Sequence, residues 1–150
     1  MNPFAEFETD PTKERDGVRV VVRSRKPEGG AMTFILRRAG GANRIFRYAM
    51  AEAIRNYPEI LSDIETPDGR RRAFNVEDQA TQEAFADAVI AGWENVEGRD
   101  GQPLAFTRDN VLDLIRACPD VWDELRVAAV DVANFRPNGA AKDGAELGKS

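Results

Sequence analysis

The change in hydrophobic spacing along the chain constrains its fold more than any other feature. Residues 18–23 read Val-Arg-Val-Val-Val-Arg, and residues 33–37 form a second short apolar run after a segment rich in Pro and Gly. Because β-branched residues favour strands and Pro and Gly favour turns, residues 18–38 predict a β-hairpin. From Ile45 onward, apolar residues recur at three- and four-residue steps, as they do in helices. The sequence therefore predicts an α+β fold with a predominantly helical body and an N-terminal β-hairpin.

The first half of the helical part contains two predicted helices. Asn43 stands at the N-cap position of a helix over residues 45–57, which ends at a proline. Thr66-Pro67-Asp68-Gly69 is typical of a turn. A second helix is predicted from about Glu77 to Gly92, with an alanine- and phenylalanine-rich face.

The second half contains a connection followed by two more helices. Residues 93–106 are rich in Gly and Pro, which indicates turns. Thr107 can cap the next helix through its hydroxyl oxygen. Pro119 suits the first turn of a last helix, because its missing N–H would have no intrahelical partner there. That helix is expected to end near Phe135.

These segments suggest one globular domain with flexible ends. Residues 1–16 are charged and poor in aliphatic side chains, so we expect a flexible arm, in which Phe4 and Phe7 stand out. Residues 17–136 form the predicted domain, a usual length for one core. Residues 137–150 are rich in Gly and contain no aromatic residue, and we expect a disordered tail.

The residue types available argue against catalysis. The chain has no histidine, which removes the commonest general base and the commonest metal ligand. The single cysteine, Cys118, excludes zinc sites built from several cysteines and disulfides within the chain. We therefore expect no catalytic, cofactor-binding or metal-binding residues and a protein that is not an enzyme. A hydrolase that relies on carboxylates alone is the remaining enzymatic alternative.

Charge and hydropathy give four further expectations. The net charge of −5 argues against a general nucleic-acid or membrane-surface binder. The triplet Arg70-Arg71-Arg72 leaves nucleic-acid binding as a less favoured alternative, because no recognition motif accompanies it. The basic first half and acidic second half allow self-association. No apolar stretch is long enough to span a bilayer and no signal peptide begins the chain, so we expect a cytoplasmic protein.

Two stretches resemble a known family. Trp93 precedes residues 100–107, which read Asp-Gly-Gln-Pro-Leu-Ala-Phe-Thr, and a capped helix and a proline-started helix follow. Residues 41–49 read Gly-Ala-Asn-Arg-Ile-Phe-Arg-Tyr-Ala, a similar helix start. Over roughly residues 33–136 the chain resembles the tail assembly chaperones of long-tailed bacteriophages and prophages. In the turn, Gly101 can take a positive φ, and Trp93 can pack with Leu104 and Phe106 beneath the last helices.

The resemblance implies a helper protein made before the phage tail is assembled. Such chaperones bind the long helical tape measure protein and help recruit tail tube subunits, without a nucleotide or a metal. The alternative is a structural virion component, such as a tail or connector subunit. An amphipathic helix would bind in an apolar groove, and an aromatic-bearing arm could fold onto a partner. The candidate partner-binding residues are Phe4, Phe7, Val121, Trp122, Leu125 and Phe135. The groove residues among them could instead close the core.

Overall fold

A computed structural model describes residues 1–137 and shows an α+β, mostly helical fold, as predicted. The helices are α1 (Pro3–Phe7), α2 (Pro11–Asp16), α3 (Arg44–Asn56), α4 (Pro67–Ala88), α5 (Arg108–Ala117) and α6 (Pro119–Val130). The strands are β1 (Val18–Arg23), β2 (Ala31–Leu36) and β3 (Ile90–Glu94). Short 3-10 helices cover Pro58–Leu61 and Val132–Phe135. No helix within residues 1–137 is both long enough and apolar enough to cross a membrane.

The sheet is antiparallel with the order β1-β2-β3. The predicted hairpin is confirmed, with Val20 opposite Phe34 and Arg23 opposite Ala31. The third strand was not predicted, because Ile90 continues the helical spacing of α4 and Gly92 is a poor strand former. In the structure Gly92 lies opposite Ile35, and a Cβ at Gly92 would lie 3.7 Å from the Ile35 side chain.

Helix α4 begins ten residues before its predicted start, so the predicted turn at residues 66–69 is wrong. Thr66 is the N-cap residue, and its Oγ1 accepts a hydrogen bond from the Gly69 N–H at 3.0 Å. Pro67 occupies the first helical turn, where its missing N–H is harmless. The same four residues can therefore start a helix as well as make a turn.

Asn43 stands at the N-cap position of α3 but does not cap it through its side chain. The side chain is buried, and its Nδ2 donates to the carbonyl oxygens of Arg38 and Ala88, each at 2.9 Å. Asn43 thus ties the end of the hairpin to the end of α4.

The core lies between one face of the sheet and the helices α3–α6. Phe34 and Leu36 of β2 are fully buried, as is Leu125 of α6. Phe85 of α4 lies at the centre, with T-shaped contacts to Phe46 at 5.8 Å and to Trp122 at 4.8 Å between ring centroids. Such edge-to-face pairs stabilise a core beyond their buried area.

The predicted flexible arm over residues 1–16 differs from the observed structure, most clearly in its second half. The N–H of Asp10 donates to the Phe135 carbonyl at 2.7 Å, and Glu14 in α2 is buried against Arg38. The charged composition of this segment predicted exposure to solvent, but Glu14 can be buried because its carboxylate is paired with Arg38. The predicted disordered tail lies outside the described residues, apart from Pro137.

Candidate partner-binding surfaces

Three of the predicted groove residues are part of the core. Trp122 is 2% exposed, and Leu125 and Phe135 are fully buried. The Trp122 indole N–H donates to the Asp78 carboxylate at 2.9 Å, which satisfies its polar atom. These side chains therefore do not line an open groove between the last helices.

Val121, the remaining predicted groove residue, is half-buried at an open groove of about 490 Å³. This groove runs from the hairpin turn to the start of α6. A second groove of about 490 Å³ adjoins it and shares Val22, Arg23 and Glu124 with it. We call the second one the edge groove; it is lined by Val20, Val21, Val22, Arg23, Asp123, Glu124, Val127, Ala128, Asp131 and Asn134.

The two sides of the edge groove carry opposite charges. The β1 side bears the exposed Arg23, and the α6 side bears the three acidic residues in the lining. Arg19, two positions before Val21 on β1, is also exposed but does not line the groove. Arg19 makes two hydrogen bonds with Glu94, and this pairing raises the pKa of Arg19 and lowers that of Glu94. Within residues 1–137, Arg23 has no ion-pair partner.

A second surface is apolar. Five large apolar side chains between residues 45 and 74 are each more than 60% exposed. We call them the α3–α4 apolar surface; they are Ile45, Tyr48, Leu61, Ile64 and Phe74. Single exposed apolar residues are ordinary on protein surfaces, whereas contiguous apolar patches mark binding sites. Ile45 and Tyr48 lie three positions apart on α3 and therefore form an exposed apolar pair on one face of that helix.

The two predicted aromatic residues of the arm are exposed. Phe4 is 73% and Phe7 65% exposed, and α1 buries none of its residues. The helix is started by Asn2, whose side chain accepts hydrogen bonds from the backbone N–H groups of Phe4 and Ala5. Contact of the two phenylalanines with a partner stays a prediction.

Trp93 of β3 contacts Leu104 and Phe106, and we call these three residues the latch. The Trp93 indole N–H donates to the Leu104 carbonyl at 3.0 Å, and its ring meets Phe106 edge-on at 5.1 Å. Gly101 has a φ of 77°, as the predicted turn requires. On its other side Trp93 meets Phe34 of β2 at 6.2 Å. The latch therefore fixes the 96–104 loop to the sheet, and Trp93 and Leu104 also pack against the core cluster to which α5 and α6 contribute.

Each arginine of the basic triplet contacts another residue of the chain. Arg70 donates to the Ile64 carbonyl at 2.7 Å, Arg71 pairs with Asp68 at 3.2 Å, and Arg72 reaches the Ser62 hydroxyl at 3.4 Å. These contacts hold the preceding loop against the first turns of α4.

Tyr57, Glu83, Asp87 and Arg108 form a network of ionisable side chains at the partly exposed side of α4. Burial and a hydrogen bond with Glu83 raise the pKa of Tyr57. Arg108 lies 3.6 Å from Glu83 and 2.6 Å from Asp87, and its pKa is raised mainly by the hydrogen bond with Asp87. No group of three or more potential metal ligands occurs within the described residues.

The comparison with known families places the chain among prophage proteins. The family model described as YdaY prophage protein matches residues 41–146, more than half of the sequence. The chain belongs to the YdaY prophage protein family. Neither the curated proteins nor the solved structures show a significant match.

Some of the surfaces of this YdaY-family protein lie within the residues that the family model matches, and others lie before them. The α3–α4 apolar surface, the latch and helix α6 lie within the matched residues. The match begins at Gly41, after α1, α2, β1 and β2. No sequence signal singled out Arg23 and Val127 of the edge groove, because the pairing of a strand with a distant helix is not visible in local spacing.

Proposed function

We propose that this prophage protein is a non-enzymatic tail assembly chaperone. It binds the tape measure protein and helps recruit tail tube subunits in the cytoplasm of the infected or lysogenic host cell. Support comes from membership of a prophage protein family and from the resemblance over residues 33–136. The observation that carries the proposal is the α3–α4 apolar surface, whose five members are each more than 60% exposed.

The α3–α4 apolar surface suits a helical partner. Ile45 and Tyr48 are three positions apart, so they lie on the same face of α3. An amphipathic helix presents apolar anchors at i, i+3, i+4 and i+7, and an apolar helical face is its usual receiver. The basic Arg44 and Arg47 flank this pair and are both exposed. An acidic flank on the partner helix would meet them favourably.

The test is co-expression with the tape measure protein encoded in the same gene neighbourhood. We expect the two proteins to co-purify and the tape measure protein to become more soluble. Tyr48→Ser should weaken co-purification because it removes an exposed apolar anchor. The matched control is Val130→Ser on α6, a second exposed apolar residue, which lies outside this surface.

The alternative is a structural virion subunit. The open edge of β1 favours it, because an unpaired strand edge can join one subunit to another. Mass spectrometry of purified virions separates the two functions. A stoichiometric amount of this protein in mature virions, with no effect on tape measure solubility, would overturn the chaperone proposal.

A further inference from the structure

Strand β1 forms an open edge of the sheet. Within residues 1–137, each of the two outer strands, β1 and β3, pairs with β2 alone. The Ser24 N–H donates to the Gly30 carbonyl at 3.0 Å, so the hydrogen-bonded pairs of this antiparallel ladder continue through Val22, Val20 and Val18. The N–H and C=O groups of the alternating residues then point away from β2; these residues are Arg19, Val21 and Arg23. They offer a ready template for another strand.

The surroundings of this edge select the kind of strand that fits. On one face, Val20 and Val22 are buried beneath α6, and Val127 of α6 is 65% exposed at the rim of the edge groove. On the opposite face, Arg19 and Arg23 are exposed. Because side chains alternate along a strand, the best partner carries apolar residues at every second position and acidic residues between them.

The N-terminal arm of this chain has that pattern. Residues 5–8 read Ala-Glu-Phe-Glu. In an extended conformation Glu6 and Glu8 share one face, and Ala5 and Phe7 share the other. As the five-residue helix α1, the segment buries none of its side chains. A helix this short has little stability of its own, so its conversion to a strand costs little.

We propose that residues 4–8 of one copy add as a fourth, antiparallel strand to the β1 edge of a second copy. Glu6 and Glu8 then lie on the face of β1 that bears Arg23, whose side chain has no ion-pair partner within residues 1–137, and Arg19, which already pairs with Glu94. Phe7 enters the edge groove and covers Val127. This self-association does not depend on the chaperone function, because it uses β1 and the arm and leaves the α3–α4 apolar surface free.

Two other arrangements are less favourable. Direct pairing of two β1 strands centred on Val21 would place Arg19 opposite Arg23 of the other copy, and like charges directly opposite each other destabilise a sheet. The arm of the same chain does not occupy its own edge, since among residues 1–137 β1 pairs with β2 alone. Exchange of arms between copies pairs the open β1 edge and also covers the exposed side chains of the arm. If each copy gives its arm to the other, the result is a closed dimer.

The test is sedimentation velocity of the full chain over a wide range of concentrations. We expect concentration-dependent association that is lost when residues 1–8 are removed. Val21→Pro removes the outward N–H, which the β1–β2 ladder does not use, and should weaken association by about tenfold or more. Arg23→Glu should weaken it comparably, while Arg55→Glu in the exposed last turn of α3 serves as the matched control and leaves it unchanged.

A charge swap makes the test specific for the arm. A copy with Glu6→Lys and Glu8→Lys and a copy with Arg23→Glu should each associate poorly alone. Mixed together they should recover association, because each modified arm or edge then meets an opposite charge. A wild-type chain that stays monomeric at every concentration overturns the proposal. So does association that survives removal of residues 1–8, or a monomer whose own arm proves to be protected from hydrogen exchange. If Val21→Pro unfolds the protein, Arg23→Glu and the charge swap still test whether the arm binds the β1 edge.

Discussion

Residues 1–40 and residues 41–137 are held in place by different interactions. The second region is built on apolar packing, with Phe85 and Leu125 fully enclosed by the helices. The first region contributes one apolar strand face to that core, but its helix α2 is attached by polar groups. The Glu14 carboxylate pairs with Arg38 at 2.5 Å and also accepts the Ala42 N–H. A charged segment can therefore be part of a fold when its charges are matched inside it.

The free energy of unfolding should fall most when packing is removed from the second region, residues 41–137. Phe85→Ala removes a ring that contacts both Phe46 and Trp122, and we expect the free energy of unfolding to fall by roughly 3–5 kcal/mol. Urea melts measure this change. A loss of less than about 1 kcal/mol would show that the body relaxes around the cavity and is not closely packed.

The attachment of α2 should depend on pH. Burial alone raises the pKa of Glu14, but hydrogen bonds from Thr9, Ala42 and Arg38 outweigh it and leave the pKa below its usual 4.5. The carboxylate therefore contributes stability above about pH 4.5, and this contribution is lost as the pH falls through the lowered value.

Glu14→Gln tests this dependence directly. At neutral pH it should destabilise the protein by about 3 kcal/mol, because it leaves the Arg38 guanidinium without its partner. In acid, where the wild-type carboxyl is protonated, the difference should shrink. Urea melts of both proteins at neutral and acidic pH measure it, and a difference that stays constant with pH would contradict the assignment.

The Trp93 latch should give an intermediate effect. Trp93 is half-buried and Phe106 is 41% exposed. Trp93→Ala should therefore cost about 2 kcal/mol, less than the roughly 3–5 kcal/mol of a fully buried aromatic residue. Hydrogen exchange should show faster opening of the 96–104 loop in this variant. Phe106→Ala, which leaves the indole hydrogen bond intact, is the control and should cost less.

The arm should give the smallest effect on stability. Phe4→Ser and Phe7→Ser remove exposed side chains, so we expect changes within about 0.5 kcal/mol in urea melts of the dilute monomer. A larger loss would place the arm in the folding unit with α2. Helix α1 would then share with α2 the attachment to residues 41–137.

Local patterns in the sequence predicted the hairpin, the cap at Thr107 and the start of α6 at Pro119, because each depends on a few neighbouring residues. Strand β3 was missed since its pairing with β2 joins residues far apart in the chain. The burial of Glu14 was missed for the same reason, because its partner Arg38 lies 24 positions away.

The candidate surfaces divide in the same way. Exposure of Phe4 and Phe7 followed from the charged composition around them. Spacing alone could not tell whether Trp122, Leu125 and Phe135 face a groove or the core, since both give the same apolar pattern. The edge groove needs the three-dimensional position of α6 beside β1.

The bond between Asp10 and Phe135 has a consequence for the order in which the chain folds. Lys13 adds to it by donating to the carbonyl oxygens of Arg136 and Pro137, which lie 123 and 124 positions away. Helix α2 therefore gains these contacts only after residues 135–137 have left the ribosome. Contacts between such distant residues form late because closing the intervening loop is slow. During synthesis, α2 is therefore made well before the residues that hold it in place.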